Sequence, residues 1–303
     1  MQEKYRMNKY ETKGHLAALI TIMIWGTTFI STKVLLKALQ PVEILFIRFV
    51  IGFLALFLAC PRPLKNTDWK KEAVFAAAGL SGVCLYYLME NIALTFTMAS
   101  NVGVIISVAP FFTAILSRVF LKKDEKLRVN FFVGFVVAMA GIVLISFNGS
   151  ALQLNPAGDL LALLAALLWA VYSILTRKIS DYGYNTVLST RRIFFYGILF
   201  MIPALIFFDF HPDLSCFRNP VNLLNILFLG LGASALCFVT WNFAMRLLGA
   251  VKTSVYIYLV PVITVAASVV ILHEPFTWMT GLGTVLTLGG LLLSESRIFV
   301  KRS

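Results

Sequence analysis

Glu90 is the only charge between Ala73 and Ser117, in an otherwise apolar stretch. A carboxylate held at membrane depth is costly, so it is a functional candidate by default. It could bind a substrate amine or exchange a coupling proton. It could equally serve the structure as an ion-pair partner. Arg48 reaches a similar depth in its own apolar stretch, which makes Arg48 and Glu90 a candidate pair, with Lys33 as a second possible cation. Asn91 and Asn242 are amides in apolar surroundings; they can hydrogen-bond neighbouring helices or line a cavity. Trp25 and Trp169 each lie eleven residues into an apolar run. That is about 16 Å along a helix, near the middle of a hydrocarbon layer of about 30 Å. Tryptophan prefers the interface, so a pair at that depth is expected to wall a cavity. Thr28, Tyr86, Tyr172, Trp241 and Tyr258 add hydroxyls and rings to the same set. Such a lining suits an amphipathic or cationic guest through stacking and cation–π contact.

These residues belong to a repeat. Gly14, Trp25, Thr32 and Arg48 find the same residue type 144 positions later, at Gly158, Trp169, Thr176 and Arg192. Gly79, Asn91, Ala99 and Pro110 recur after 151 positions as Gly230, Asn242, Ala250 and Pro261. Glu125, Gly134 and Gly141 recur after 149 as Glu274, Gly283 and Gly290. The mate of Glu90 is Trp241, so the carboxylate is not part of the shared scaffold. Pro110 and Pro261 fall mid-run in both copies and are read as hinges, with static kinks as the alternative, since proline removes a backbone bond and kinks a helix. The paired glycines in the fifth run of each copy read as close-packing faces.

The elements that must position these groups are membrane-spanning helices. Hydrophobic residues make up 59% of the 303, charged residues 13%, and mean hydropathy is +0.87, against about 45–50% and 25% in soluble domains. Cutting at charges, prolines and turn residues gives ten runs, near 14–33, 42–60, 72–94, 98–120, 129–148, 158–176, 187–208, 222–245, 252–272 and 277–296. The first run has no small-residue cleavage site and is long enough for a full span, so a removable signal peptide is not expected. Placing the N-terminus inside puts 22 of the 26 basic residues in inner segments, leaving Lys33, Lys37, Arg48 and Arg218 toward the outside. Positive residues in short loops favour the cytoplasm, so both termini are expected there. Five spans per copy is an odd number, so the second copy must run in the opposite sense to the first. The expected fold is all-α: ten transmembrane helices as two inverted five-helix repeats. The units are a tail over 1–13, repeats over 14–148 and 158–296 with an external linker over 149–157, and a tail over 297–303. Such units are the usual build of an alternating-access carrier.

The net charge of +12 is a topology signal, and no nucleic acid is expected, because no basic domain lies outside the spans. Cys60, Cys84, Cys216 and Cys237 show no metal spacing and are read as unpaired. His15, His211 and His273 form no ligand cluster, and no phosphate-cradling loop or nucleophile–base arrangement is present, so no metal, cofactor or ATP site is expected. The alternatives are a membrane-embedded enzyme, a lipid-handling protein or an assembly subunit. The first two would need intramembrane histidines or carboxylate pairs; the last gives no reason for mated polar and aromatic residues at the midplane.

The order of several motifs resembles the EamA family of the drug/metabolite transporter superfamily. Trp25-Gly26-x-x-Phe29-x-x-x-Lys33 is similar to that family's opening helix. Ala93-Leu94 through Ala99-Ser100 to Ala109-Pro110 resembles a later stretch, echoed by Ala244-Met245, Ala250-Val251 and Val260-Pro261. Leu272-His273-Glu274-Pro275-Phe276 resembles its closing turn; the first-half turn, Leu121 to Leu127, departs by two extra residues. The resemblance implies a secondary transporter in a bacterial plasma membrane. Its cavity would be lined by helices 1, 3, 4, 6, 8 and 9, and it would move small metabolites, often amino acids, outward. The expected partners are a small-molecule substrate, membrane lipids and a second copy docked through helices 5 and 10.

Overall fold

A computed structural model describes residues 2–96, 99–121, 129–146, 155–272 and 277–295. The turns at 122–128 and 273–276, most of the linker 149–157 and the tail 297–303 lie outside the described residues. Glu125, His273, Glu274, Pro275 and Phe276 fall there too.

All regular structure among the described residues is helical. In chain order the helices are α1 (Gln2–Leu35), α2 (Pro41–Ala59) and α3 (Trp69–Phe96). α4 is in two pieces, Ala99–Ile106 and Ala109–Phe120. Next come α5 (Val129–Ser146), α6 (Pro156–Ser180), α7 (Thr186–Phe207) and α8 (Pro220–Leu248). α9 has three pieces, Ala250–Val255, Tyr256–Tyr258 and Leu259–Leu272, and α10 is Trp278–Glu295. The segment expected as an N-terminal tail therefore continues the first helix.

Local chemistry sets the helix ends. Asn155 accepts from the amides of Ala157 and Gly158, with Pro156 in the first turn of α6. Asn185 caps α7 in the same way, and Asn219 followed by Pro220 starts α8. These side chains satisfy amides that the helix leaves unbonded. α8 stops at Gly249, whose φ of 86° is open to glycine at little cost.

Among the described residues six helices are long and apolar enough to cross a membrane: Tyr10–Leu35, Pro41–Ala59, Trp69–Phe96, Pro156–Ser180, Thr186–Phe207 and Pro220–Leu248. Four shorter apolar stretches join them, Ala109–Phe120, Val129–Ile145, Ala250–Thr264 and Trp278–Ser294. Leucine, phenylalanine and valine side chains are exposed along their outer faces, as lipid contact requires.

The packing is reciprocal. α1 lies on α8 and α9, while α6 lies on α3 and α4; α2 lies on α8, while α7 lies on α3; α5 and α10 pair with each other. Two stretches of π-helix, Gly79–Leu85 in α3 and Phe228–Leu236 in α8, occupy corresponding places in the two copies. Each docks on the second helix of the other half. A β-carbon at Gly79 would stand 2.6 Å from the Ile193 carbonyl oxygen of α7, and one at Gly230 would stand 2.6 Å from Ile51 of α2.

The glycine faces of α5 and α10 meet each other. A β-carbon at Gly141 would stand 2.5 Å from the Gly283 carbonyl, and one at Gly290 would stand 2.4 Å from the Ala138 amide. These faces are taken up inside one chain, so a homodimer through the two helices would have to use their other sides.

The prolines differ from the mid-helix expectation. α4 breaks at Ser107 and Val108, and Pro110 lies in the first turn of the piece that follows. Pro261 is the third residue of Leu259–Leu272, after the tight turn Tyr256–Tyr258. A ring at that position cannot clash with a carbonyl four residues back when the helix begins anew.

Candidate functional site

A cavity lies where the two halves meet, with about 530 Å³ of atom-free space counting its mouth. α1 supplies Trp25, Thr28 and Phe29; α3 supplies Tyr86, Tyr87 and Glu90; α4 supplies Gly103, Ile106 and Ser107. Trp169 of α6 and Ile257 and Val260 of α9 complete the wall. Glu90 is the one acidic side chain among these lining residues, and it is only 7% exposed. Nothing stands within 4 Å of where a β-carbon on Gly103 would be, which leaves room on that wall.

The tryptophans form one cluster. The Trp25 ring lies 5.2 Å from Trp169, edge-on at 80°, and 5.1 Å from Trp241. Tyr86 closes on Trp169 from the cavity side at 4.8 Å. Trp25 Nε1 donates to the Ala233 carbonyl at 3.0 Å, which fixes its ring. The indole N–H of Trp169 has no acceptor among the described residues. A buried donor without an acceptor is costly, and this one belongs to a ring on the cavity wall.

Behind the tryptophans the space is filled. Phe49, Phe194 and Phe238 contact each other edge-on with centroids 5.0–5.7 Å apart. The Tyr172 hydroxyl donates to Asn242 Oδ1 at 2.9 Å, and Asn242 Nδ2 donates to Thr190 Oγ1 at 3.0 Å. Further along, the loop over 60–68 is strapped to the loop over 181–185. Tyr184 donates to the Asn66 carbonyl at 2.6 Å, and the Arg191 guanidinium reaches the carbonyls of Cys60 and Arg62. Arg192 grips Glu72 with two bonds of 2.9 Å, and Tyr196 donates to the same carboxylate at 2.7 Å.

Of the ten residues expected at a binding site, Trp25, Thr28, Tyr86, Glu90 and Trp169 line this cavity. Trp241 and Tyr172 stand behind it, fully buried. Asn91 donates to the Pro41 carbonyl at 3.2 Å and acts as helix glue. Asn242 faces a second, smaller pocket. Tyr258 is turned away, packed with Ala114, Phe131 and Ile142. Arg48 and Glu90 form no direct ion pair. Arg48 Nε donates to Ser234 Oγ at 3.0 Å, and its guanidinium stacks 4.5 Å over the Tyr87 ring. All four cysteines are free. The residues missed were Phe29, Tyr87, Gly103, Ile106, Ser107, Ile257 and Val260. Ile106 and Ile257 are repeat mates, and that relation could have found both.

Asn242→Ala is expected to lower stability by about 1–3 kcal/mol, because it removes two bonds and strands the buried Tyr172 hydroxyl. Asn91→Ala, with one bond to lose, should cost less than 1 kcal/mol by the same reasoning. Thermal unfolding of the two variants in one detergent checks the order.

An apolar helical bundle with a cavity between its halves is the form of a multi-pass membrane transporter. The chain belongs to the EamA-like transporter family, which matches residues 12–147 and again residues 156–295. It is 28% identical over 292 residues to an uncharacterized transporter of Archaeoglobus fulgidus, covering 94% of this chain and 98% of that one. It is 24% identical over 295 residues, covering 96% of each, to a probable terminal-alkyne amino-acid exporter of Streptantibioticus cattleyicolor. A solved crystal structure superposes with a TM-score of 0.76 at 22% identity, over 94% of this chain and 98% of that one; at that identity the likeness concerns the fold.

Proposed function

We propose that this chain is a secondary exporter of small organic metabolites carrying an amine, either amino-acid-like or amphipathic and cationic. In this reading all of α1 to α10 cross the membrane as two inverted repeats, with both termini cytoplasmic. The carrying observation is the cavity at the junction of the halves, walled by Trp25, Trp169 and Tyr86 and holding Glu90. Aromatic faces attract a cation, and a buried carboxylate supplies the matching charge. The family match supports transport, and the exporter of Streptantibioticus cattleyicolor supports outward movement of an amino acid.

Lining residues of α1 and α3 lie toward the ends of those helices at Leu35 and Phe96, and those of α4 toward its start at Ala99. Those ends are external in this topology. The aromatic floor and the strap between the loops at 60–68 and 181–185 then close the cytoplasmic side, which makes this the outward-facing state. Alternating access would release the strap and close the cavity mouth, with the breaks before Pro110 and Pro261 as the moving joints.

The test is uptake into proteoliposomes from a panel of amino acids, nucleosides and cationic amphiphiles. An amine-bearing solute is expected to be carried. Trp169→Ala should raise its KM by about 3- to 30-fold, the worth of one cation–π contact. Glu90→Gln should abolish coupling or its pH dependence. A cysteine at Thr28, in a chain cleared of its four native cysteines, should react with polar thiol reagents from outside, and substrate should slow that reaction. Equal transport by Trp169→Ala and Glu90→Gln would sink this assignment.

A further inference from the structure

The second pocket, about 290 Å³ of atom-free space including its mouth, lies between the end of α6, the start of α7 and the end of α8. It is separate from the central cavity and sits at the strapped end of the bundle. Its polar lining includes Ser180, Tyr184, Thr186, Ser189, Asn242 and Arg246. Ser189 is 7% exposed, and neither its hydroxyl nor that of Thr186 bonds to another described residue. Among the described residues Arg246 makes one side-chain hydrogen bond, from Nη1 to the Tyr184 carbonyl at 3.4 Å, and no described carboxylate lies within ion-pair distance of it. The neighbouring acids are already engaged: Asp181 by Arg177 at 3.1 Å and Glu72 by Arg192 at 2.9 Å.

The repeat supplies an internal control. The mates of Ser180, Thr186 and Ser189, 144 positions earlier, are Leu36, Val42 and Leu45. The mate of Arg246, 151 positions earlier, is Thr95. The scaffold therefore tolerates apolar or uncharged residues at each place. Two hydroxyls without partners among the described residues and a guanidinium held by one long hydrogen bond, in one concavity, are additions that the fold does not require.

We propose that this pocket binds a small oxyanion, a carboxylate or phosphate group, on the Arg246 fork with Ser189 and Thr186 donating to it. A guanidinium presents paired donors that match such a group. The source is either a soluble anion or the headgroup of an anionic lipid, and the chemistry is the same for both. The inference is independent of what the central cavity carries.

The test uses the full chain in nanodiscs of zwitterionic phosphatidylcholine, reading the unfolding midpoint against acetate and inorganic phosphate, with chloride at matched ionic strength as control. A parallel arm replaces part of the lipid with phosphatidylglycerol and adds no soluble anion. Arg246→Thr and Ser189→Leu install the mates' residues, and either one carries the comparison if the other does not fold. A midpoint rise with acetate or phosphate in the native chain is expected, with half-saturation shifted about tenfold or more in both variants. A rise only with phosphatidylglycerol, again lost in the variants, assigns the site to a headgroup. No rise in either arm, or an equal rise in native chain and variants, overturns the proposal.

Discussion

Gly141→Leu is expected to leave little folded protein. At Gly141 a β-carbon would stand 2.5 Å from the Gly283 carbonyl and 2.6 Å from the Thr287 amide. Both contacts are backbone, so neither can rotate away. α5 and α10 would have to separate along their whole length, losing the contact of Gly134 on Gly290 as well. Overpacking of a close contact costs about 1–3 kcal/mol, and more when backbone must move. In lipid, helix association rests on close packing and not on exclusion of water, so nothing else refills the gap. Gly289→Leu is the control: it sits in the same helix, and nothing lies within 4 Å of its β-carbon position. Size-exclusion recovery and thermal unfolding of the two variants test this. Equal stability would show that the glycine face carries little of the bundle.

Glu90→Leu is expected to destabilise the chain, by less than the roughly 3–5 kcal/mol of a broken contact ion pair, and Arg48→Met made in the same chain should restore most of that. Arg48 is 2% exposed, and its Nη2 has no protein partner. Its charge is answered by Ser234, by the Tyr87 ring and, through space, by Glu90. Removing the carboxylate alone leaves that cation buried without an opposing charge. Replacing both groups with apolar residues of similar volume removes the desolvation cost together with the attraction. Transport separates structure from function. The double variant should fold and carry nothing, because the carboxylate on the cavity wall is gone. Transport recovering along with stability would make Glu90 a structural counter-charge.

Apolar runs and their boundaries were legible in the sequence because lipid demands long uncharged helices. The Trp25 and Trp169 pairing was legible because the repeat marks it, and the glycine faces because small residues recur at matched places. Which helix face points inward was harder to read. A stretch of π-helix carries extra residues per turn and rotates everything after it, and no composition signal marked Gly79–Leu85 or Phe228–Leu236. Asn91, beyond the first, therefore turned to Pro41, and Asn242, beyond the second, to Tyr172 and Thr190. Tyr258 ends a tight turn that the run of apolar letters conceals, and it packs against α5. Arg48 and Glu90 form no direct ion pair for a related reason: depth along two helices does not say which way each side chain turns, and Arg48 turns to Ser234 and the Tyr87 ring.

Biosynthesis inherits a delay from the reciprocal docking. α1 to α5 are made before any of their partners in the other half exist. From the end of α5 at residue 146 to the start of α10 at residue 278 is 132 residues. At about 5–20 residues per second that is roughly 7–26 s. Through that interval lipid alone must cover the glycine groove of α5. The carboxyl-terminal helix thus acts as a latch, and a nascent chain stopped before it stays open to membrane proteases.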